Sequence, residues 1–318
     1  MNIKTKLQIG MIGLGRMGGN LTRQALQKKI QVIGFTTEGA PKDLIRSGCL
    51  EIKKISSFIL HLKKPRKIFI YVPAGPEVDK VINELSIYLE PNDIILDGGN
   101  SYWQDSITRA NHLKNKKIKF IDLGTSGGIN GALNGACFMA GGDPHAFKIV
   151  EPILKKLAVP NGYVYTGPSG TGHFTKLVHN GIEFGMIQAI GEGIDLLEQF
   201  PQKLPIEKIL TCYQNGSVIR SWLIDLMKEM YSKEGGLNKI PSYVDDTGEV
   251  NWLLEDAIKM EVSIPIISQS IMQLFSSRDK KKNWAKAIAM MRKGFGQHAY
   301  GPSQPAQIER KIGKVGKY

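Results

Sequence analysis

Lys176, His179, Asn180 and Glu183 bring an amine, an imidazole, an amide and a carboxylate into one short stretch of an otherwise sparsely charged segment. Their spacing is i, i+3, i+4 and i+7, so on an α-helix all four side chains share one face. Charges set into an apolar helix are costly unless they are paired or used. That cost leaves two readings. One is an internal Lys–Glu ion network spanning two turns. The other is a proton-transfer site in which Lys176 and Glu183 serve as base and acid.

The elements that must hold these residues come before and after them. The stretch follows a glycine-rich turn, residues 167–172, and opens a segment that reads as helix over 174–197. Upstream, an apolar strand is expected at 6–12, then Gly13-Leu14-Gly15-Arg16-Met17-Gly18, then a helix at 20–28. Gly-x-Gly-x-x-Gly between a strand and a helix is the context in which the pattern means dinucleotide binding. The first glycine makes the turn, the second admits a pyrophosphate to the helix N-terminus, and the third lets helix and strand pack closely.

A second strand, 30–35, ends at Thr36, where an NAD-binding chain usually places an acid on the adenosine ribose. Further strands are expected at 67–72, which runs into Pro73, and at 93–96, closed by Asp97-Gly98-Gly99-Asn100-Ser101. Asn100 falls on the carboxyl-end side where such sheets bind ligands, although an Asx-Gly turn would use the same residues. After a helix at 106–113 and a strand at 119–123 comes Thr125-Ser126-Gly127-Gly128, whose backbone amides suit an anion or carboxylate. A strand at 136–140 and a helix reaching 157 complete the alternation. The pattern predicts an N-terminal α/β, Rossmann-type doubly wound sheet, mostly parallel.

Beyond residue 166 the periodicity is helical, with further helices expected at 205–213, 218–228, 253–260, 265–275 and 283–292. Residues 232–248 read as loop, and 301–318 as a basic tail without obvious packing. The expected organisation is therefore a dinucleotide-binding domain, 1–166, and an all-helical domain, 167–318, for substrate binding. Arg220, Arg292 and His298 are its cationic candidates for a phosphate or carboxylate.

Totals narrow the field. A chain of 318 residues can bury a large core. Its net charge of +13 is scattered in lysine pairs and triplets, without a zinc finger, RRM or arginine-rich block, so specific nucleic-acid binding is not expected. Such a field also attracts dinucleotides and phosphorylated acids. Three cysteines without CxxC spacing suit a reducing compartment, and no apolar run is long enough to span a bilayer. No signal peptide is read at the start, so cytoplasm is the expectation. The six histidines form no HxxH or HExxH grouping, and no metal is expected.

Gly13 to Leu21, Asp97 to Ser101, Ser126 to Gly128, Met139 to Asp143, Gly172 to Glu183, Ser217 to Ser221, Asp246 to Glu249 and Phe295 to His298 together resemble a decarboxylating 6-phosphogluconate dehydrogenase of the short bacterial type. That family lies in the 3-hydroxyacid dehydrogenase superfamily. The likeness extends from residue 9 to about residue 299, and its most specific part is the 176–183 string. It implies oxidation of a sugar acid at C3, loss of CO2, and release of ribulose 5-phosphate. Lys176 would be the base and Glu183 the acid that protonates the enediol. Asn100, Ser126, Gly127, Gly128, His179 and Asn180 would hold carboxylate and hydroxyls, and Arg220, Arg292 and His298 the phosphate. Arg292 and His298 would come from the neighbouring subunit, which implies a homo-oligomer of at least two chains. The cofactor, NAD or NADP, would lie on Gly13, Leu14, Gly15, Arg16, Met17, Gly18, Thr36, Val72, Pro73 and Asn100.

Four positions depart from the family pattern. Thr36 stands for an aspartate, Asn251 for a lysine or arginine, Phe184 for a tyrosine and Gln104 for a lysine. The first leaves NAD against NADP open, since Glu38 could replace the acid while Thr37 and Lys42 would favour a 2′-phosphate; the likeness to the short type implies a lean to NAD. Asn251 and Phe184 weaken the expected phosphate grip and keep a related sugar acid open as substrate. A non-decarboxylating 3-hydroxyacid dehydrogenase is the alternative enzyme.

Overall fold

The computed structural model describes residues 7–312. Its strands are β1 (Gln8–Ile12), β2 (Gln31–Phe35), β3 (Leu50–Glu51), β4 (Lys67–Ile70), β5 (Ile94–Asp97), β6 (Lys119–Ser126), β7 (Ala136–Gly142) and β8 (Ala158–Gly167). Helices interleave with them as α1 (Arg16–Gln27), α2 (Lys42–Arg46), α3 (Phe58–His61), α4 (Pro76–Tyr88), α5 (Trp103–Lys114), α6 (Gly128–Asn134) and α7 (Pro144–Leu157). Then come α8 (Thr171–Gln199), α9 (Ile206–Gln214), α10 (Trp222–Glu234), α11 (Glu249–Lys259), α12 (Pro265–Arg278), α13 (Asn283–Gly296) and α14 (Gln304–Ile312). The expected α/β sheet followed by helices is what the chain forms.

The strands make one sheet in the order β3-β2-β1-β4-β5-β6-β7-β8. Pairing is parallel except at β6–β7, where Thr125 faces Phe138 and Ser126 faces Cys137 in antiparallel register. Central strands are apolar on both faces, as a sheet covered by helices on both sides requires. Ile9, Met11, Phe69, Leu96 and Ile121 join one core with residues of α1, α6 and α7. Ile68, Ile70, Ile95 and Phe120 point the other way, against Phe58, Val78, Ile82, Leu85 and Leu113.

Two compact units divide the chain, Met1–Asn180 and Gly181–Tyr318, and the division falls inside α8. In the second unit Ile194, Ile206 and Leu210 are buried, with Leu197, Leu204, Tyr213, Met227 and Tyr231 packed around them. No residue of α13 is buried within the chain.

Several boundaries differ from expectation for local reasons. A helix is expected over 218–228, yet α10 begins at Trp222 because Ser221 caps it, accepting the Ile224 amide at 3.3 Å. Arg220 therefore sits in the preceding turn. The turn-rich run 128–134 forms α6, started from the left-handed Gly127 at φ 105°. Much of the basic tail forms α14, while residues 313–318 and the expected strand residue Lys6 lie outside the described residues.

Asp143 ends the turn after β7 and caps α7, accepting the Ala146 amide at 2.8 Å and the Lys119 ammonium at 2.7 Å. Burial opposes its ionisation, but Lys119 and the α7 amides outweigh burial and hold the carboxyl below its ordinary value. A depressed carboxyl stabilises the fold above its unfolded pKa and loses that contribution as pH falls through the folded value. Asp143→Ala should therefore cost about 0.5–2 kcal/mol near neutrality. Chemical denaturation of both chains across pH should show that difference shrinking below about pH 4.

Candidate active site

The glycine loop is shaped by what it cannot hold. Gly13 has φ +86°, and a Cβ there would stand 2.2 Å from the Tyr71 carbonyl oxygen; at Gly18 a Cβ would meet the Gly13 carbonyl oxygen at 2.0 Å. At Gly15 the same Cβ would meet nothing within 4 Å. The loop is also tied to the end of β2, where the Gly13 amide donates to the Phe35 carbonyl at 2.9 Å. Arg16 opens α1, whose first turn has neither a side-chain cap nor an acidic residue. An open approach to uncapped helix amides suits an anion, and a dinucleotide pyrophosphate fits it.

Tyr71 links this loop to the next two. Its hydroxyl meets Thr125 Oγ1 at 2.9 Å, one residue from Ser126. Its ring fills the space over Gly98, where a Cβ would be 2.3 Å from Cζ. Burial pushes the phenol's pKa up, so it stays protonated at neutrality. Val72 and Pro73 follow it toward α4, and Gly98 leads to the exposed Asn100.

The Asn100 loop is fixed from beneath by Asp97, which is fully buried. Its carboxylate accepts the Gly99 amide at 3.1 Å, the Ser101 hydroxyl at 2.8 Å and the Arg109 guanidinium at 3.2 Å. Arg109 also donates to Asp79 at 2.7 Å and to the Gly75 carbonyl at 3.1 Å. One buried arginine thus holds both the Val72–Gly75 turn and the Asn100 turn. The sequence singled out neither Asp97 nor Arg109, since a strand-end acid and a helix arginine carry no pattern of their own.

Around Lys176 the predicted residues come together. Its ammonium hydrogen-bonds Asn180 Oδ1 and lies 3.3 Å from His179 Nδ1. His179 Nε2 is 2.9 Å from Ser126 Oγ. With Lys176 charged, His179 accepts at Nδ1 and donates from Nε2 to Ser126. Asn180 is 4% exposed, and its amide reaches Asn100 Oδ1 at 3.5 Å, the outer limit of a hydrogen bond. Gly127 and Gly128 follow Ser126 directly. Lys176 and His179 are half-buried.

Glu183 is half-buried one turn beyond His179 and Asn180 on α8, in the second unit. Arg220, Arg292 and His298 are exposed in that unit. Arg220 donates to the Ser217 carbonyl at 2.9 Å, and His298 stands edge-on to Phe295 just past α13. Thr36 is half-buried at the end of β2, and Glu38 is exposed. Gln104 is exposed, and Phe184 and Asn251 are half-buried.

Residues 8–167 match the NAD binding domain of 6-phosphogluconate dehydrogenase, and residues 172–292 match the C-terminal domain of the same enzyme. The chain belongs to the 6-phosphogluconate dehydrogenase family. It is 40% identical over 294 residues to YqeC of Bacillus subtilis, covering 92% of this chain and 99% of that one. To the NAD(+)-dependent, decarboxylating 6-phosphogluconate dehydrogenase of Haloferax volcanii it is 34% identical over 295 residues, covering 92% and 98%. A Plasmodium falciparum 6-phosphogluconate dehydrogenase, solved in apo form, with NADP+ and with 6-phosphogluconate, superposes with a TM-score of 0.79 at 27% identity. That likeness covers 93% of this chain and 67% of the other.

The two outer glycines of the family loop are fixed by packing and the middle one by open space, and substitution separates them. Gly15→Ala should fold with a melting temperature within about 2 °C of the parent, yet weaken NADH binding about tenfold by fluorescence titration. Gly18→Ala should lose stability first, because its Cβ lands on backbone.

Proposed function

We propose that this chain oxidises and decarboxylates 6-phosphogluconate to ribulose 5-phosphate and CO2 with reduction of NAD(P). The observation that carries this reading is the Lys176–His179–Asn180 cluster on Ser126, in a chain that belongs to this family. Bound NAD(P)+ would supply the hydride acceptor at C3. Gly13, Leu14, Gly15, Arg16, Met17, Gly18, Thr36, Val72, Pro73 and Asn100 would hold it. Lys176, unprotonated, takes the proton of the 3-hydroxyl as the C3 hydrogen leaves with its electron pair. The product is a 3-keto acid, in which the C1–C2 bonding pair can move toward the ketone. Lys176 returns its proton to that oxygen as CO2 departs, giving an enediol. Glu183 then protonates the former C2 while Lys176 takes back the proton of the C3 hydroxyl, and the ketone at C3 forms.

Ser126, Gly127, Gly128, His179, Asn180 and Asn100 offer the donors for carboxylate and hydroxyls that fix this geometry. Arg220, Arg292 and His298 bind the phosphate, with Arg292 and His298 contributed by a second copy in a homo-oligomer. Supporting that assembly, Trp284, Ile288, Met291 and Phe295 are all exposed on α13. Asn251 and Phe184 favour one second reading, a related sugar acid with a weaker demand for phosphate. Turnover of gluconate as fast as of its phosphate would select it.

Lys176→Met should abolish reduction of NAD(P)+ while leaving cofactor binding intact. Glu183→Gln should slow the whole reaction, and the wild type should release one CO2 per reduced cofactor. Wild-type turnover by Lys176→Met, or reduction without CO2, would overturn the assignment.

Cofactor choice should be weak, with NAD slightly preferred. Selection for NAD needs an acceptor for the ribose hydroxyls that also repels a 2′-phosphate, and Thr36 is neutral. A single charged hydrogen bond supplies at most about 3 kcal/mol. The kcat/KM ratio between the two cofactors should therefore stay under about a hundredfold. A larger ratio for NAD would point to Glu38 as the acceptor, and Glu38→Gln would then erase it.

A further inference from the structure

Asp122 of β6 is fully buried, and both of its carboxylate oxygens are taken by backbone amides at the start of α8. The Gly170 amide donates to Oδ1 at 2.8 Å and the His173 amide to Oδ2 at 2.9 Å. The first amides of a helix have no partner within it, so this strand residue does the work of an N-cap. A cap on the chain's own helix would satisfy those amides without burying a charge from another element. Burying this one therefore calls for a second role.

The strand's alternation supplies it. Residues 122, 124 and 126 share a face of β6, and that face runs beneath the first turns of α8. Asp122 bonds to residues 170 and 173. Gly124 lies so close that a Cβ would be 2.6 Å from Lys176 Cβ, and Ser126 reaches His179 Nε2 at 2.9 Å. Of these three contacts only the first fixes the helix backbone along its own axis.

We propose that Asp122 is a positioning residue of the reaction: by pinning the first amides of α8 to β6 it sets where Lys176 and His179 stand over Ser126. The inference rests on the function proposed above. A carboxylate is required because both facing groups are donors. Asparagine matches its shape but offers one acceptor and turns an N–H toward the other amide.

Steady-state rates, NADH binding and hydrogen exchange on wild type and Asp122→Asn test the proposal. In the variant, kcat should fall at least about tenfold, about 1.4 kcal/mol in the barrier. The KM for cofactor and the Kd for NADH should stay within about twofold of wild type. The primary isotope effect with substrate deuterated at C3 should rise, because chemistry becomes slower relative to release. A folded variant with unchanged kcat, or one that loses NADH binding as much as rate, would overturn the positioning role. If the variant does not fold, exchange in the wild type decides. Protected Gly170 and His173 amides support the pin, and exchange at the rate of open chain overturns it. A wild type silent toward 6-phosphogluconate would defeat the proposed function instead, and the exchange result would still judge the pin.

Discussion

The first turns of α8 lie on bare backbone of the sheet, and the arrangement of Lys176, His179 and Asn180 depends on that contact. A Cβ on Gly172 would stand 2.4 Å from the Asp122 carbonyl oxygen, and one on Gly141 would stand 2.6 Å from the Gly172 amide. Helix and sheet can approach this closely where one of the facing residues lacks a side chain, which is why glycines line the seam. The approach lets a short serine reach His179 and lets Asn180 approach Asn100. It also shields the Asp122 carboxylate from water, so its two charge-assisted bonds to amides must offset the desolvation. His173 adds a strut, its Nδ1 2.7 Å from the Ser106 hydroxyl on α5.

A second support bears on the loops rather than the helix. Arg109 and Asp97 form a pair with side chains 4% and 0% exposed, extended to Asp79. Surface pairs in the same unit, such as Lys80–Glu77, are worth about 0–1 kcal/mol and decide little. Breaking a buried pair typically costs about 3–5 kcal/mol, because the remaining charge is stranded. The fold therefore sets a buried electrostatic constraint under Asn100 and the Val72–Pro73 turn. Both turns flank the glycine loop through Tyr71, which ties together the three loops at the carboxyl ends of β1, β4 and β5.

Legibility in the sequence tracked how local each cause is. The glycine loop, the buried strands and the i, i+3, i+4 grouping on α8 are local patterns, and each was readable. β3 is two residues long and gives no period. β8 contains Pro160, Asn161 and Gly162, residues that read as a turn; the strand persists because register shifts against β7 absorb them. Apolar Val218 and Ile219 extend the helical period upstream of the capping Ser221, so periodicity alone starts α10 too early. Asp122 and Arg109 were invisible for a different reason. Their partners lie 48 and 12 or more residues away, and only the fold brings them together.

Arg292 stands on α13, a helix with one apolar stripe. Trp284, Ile288, Met291 and Phe295 recur at i, i+4, i+7 and i+11, the stripe of a helix that buries one face. Within the chain that stripe stays exposed, from 46% at Ile288 to 76% at Phe295. A 14-residue helix has little stability of its own in water, since isolated helices below about 12–15 residues are marginal. In the proposed assembly a second copy would supply apolar surface to cover that stripe. The phosphate site that Arg292 would complete inherits this dependence. In that assembly, cover for the helix and placement of the arginine would come from one association, so neither would survive dilution to the monomer.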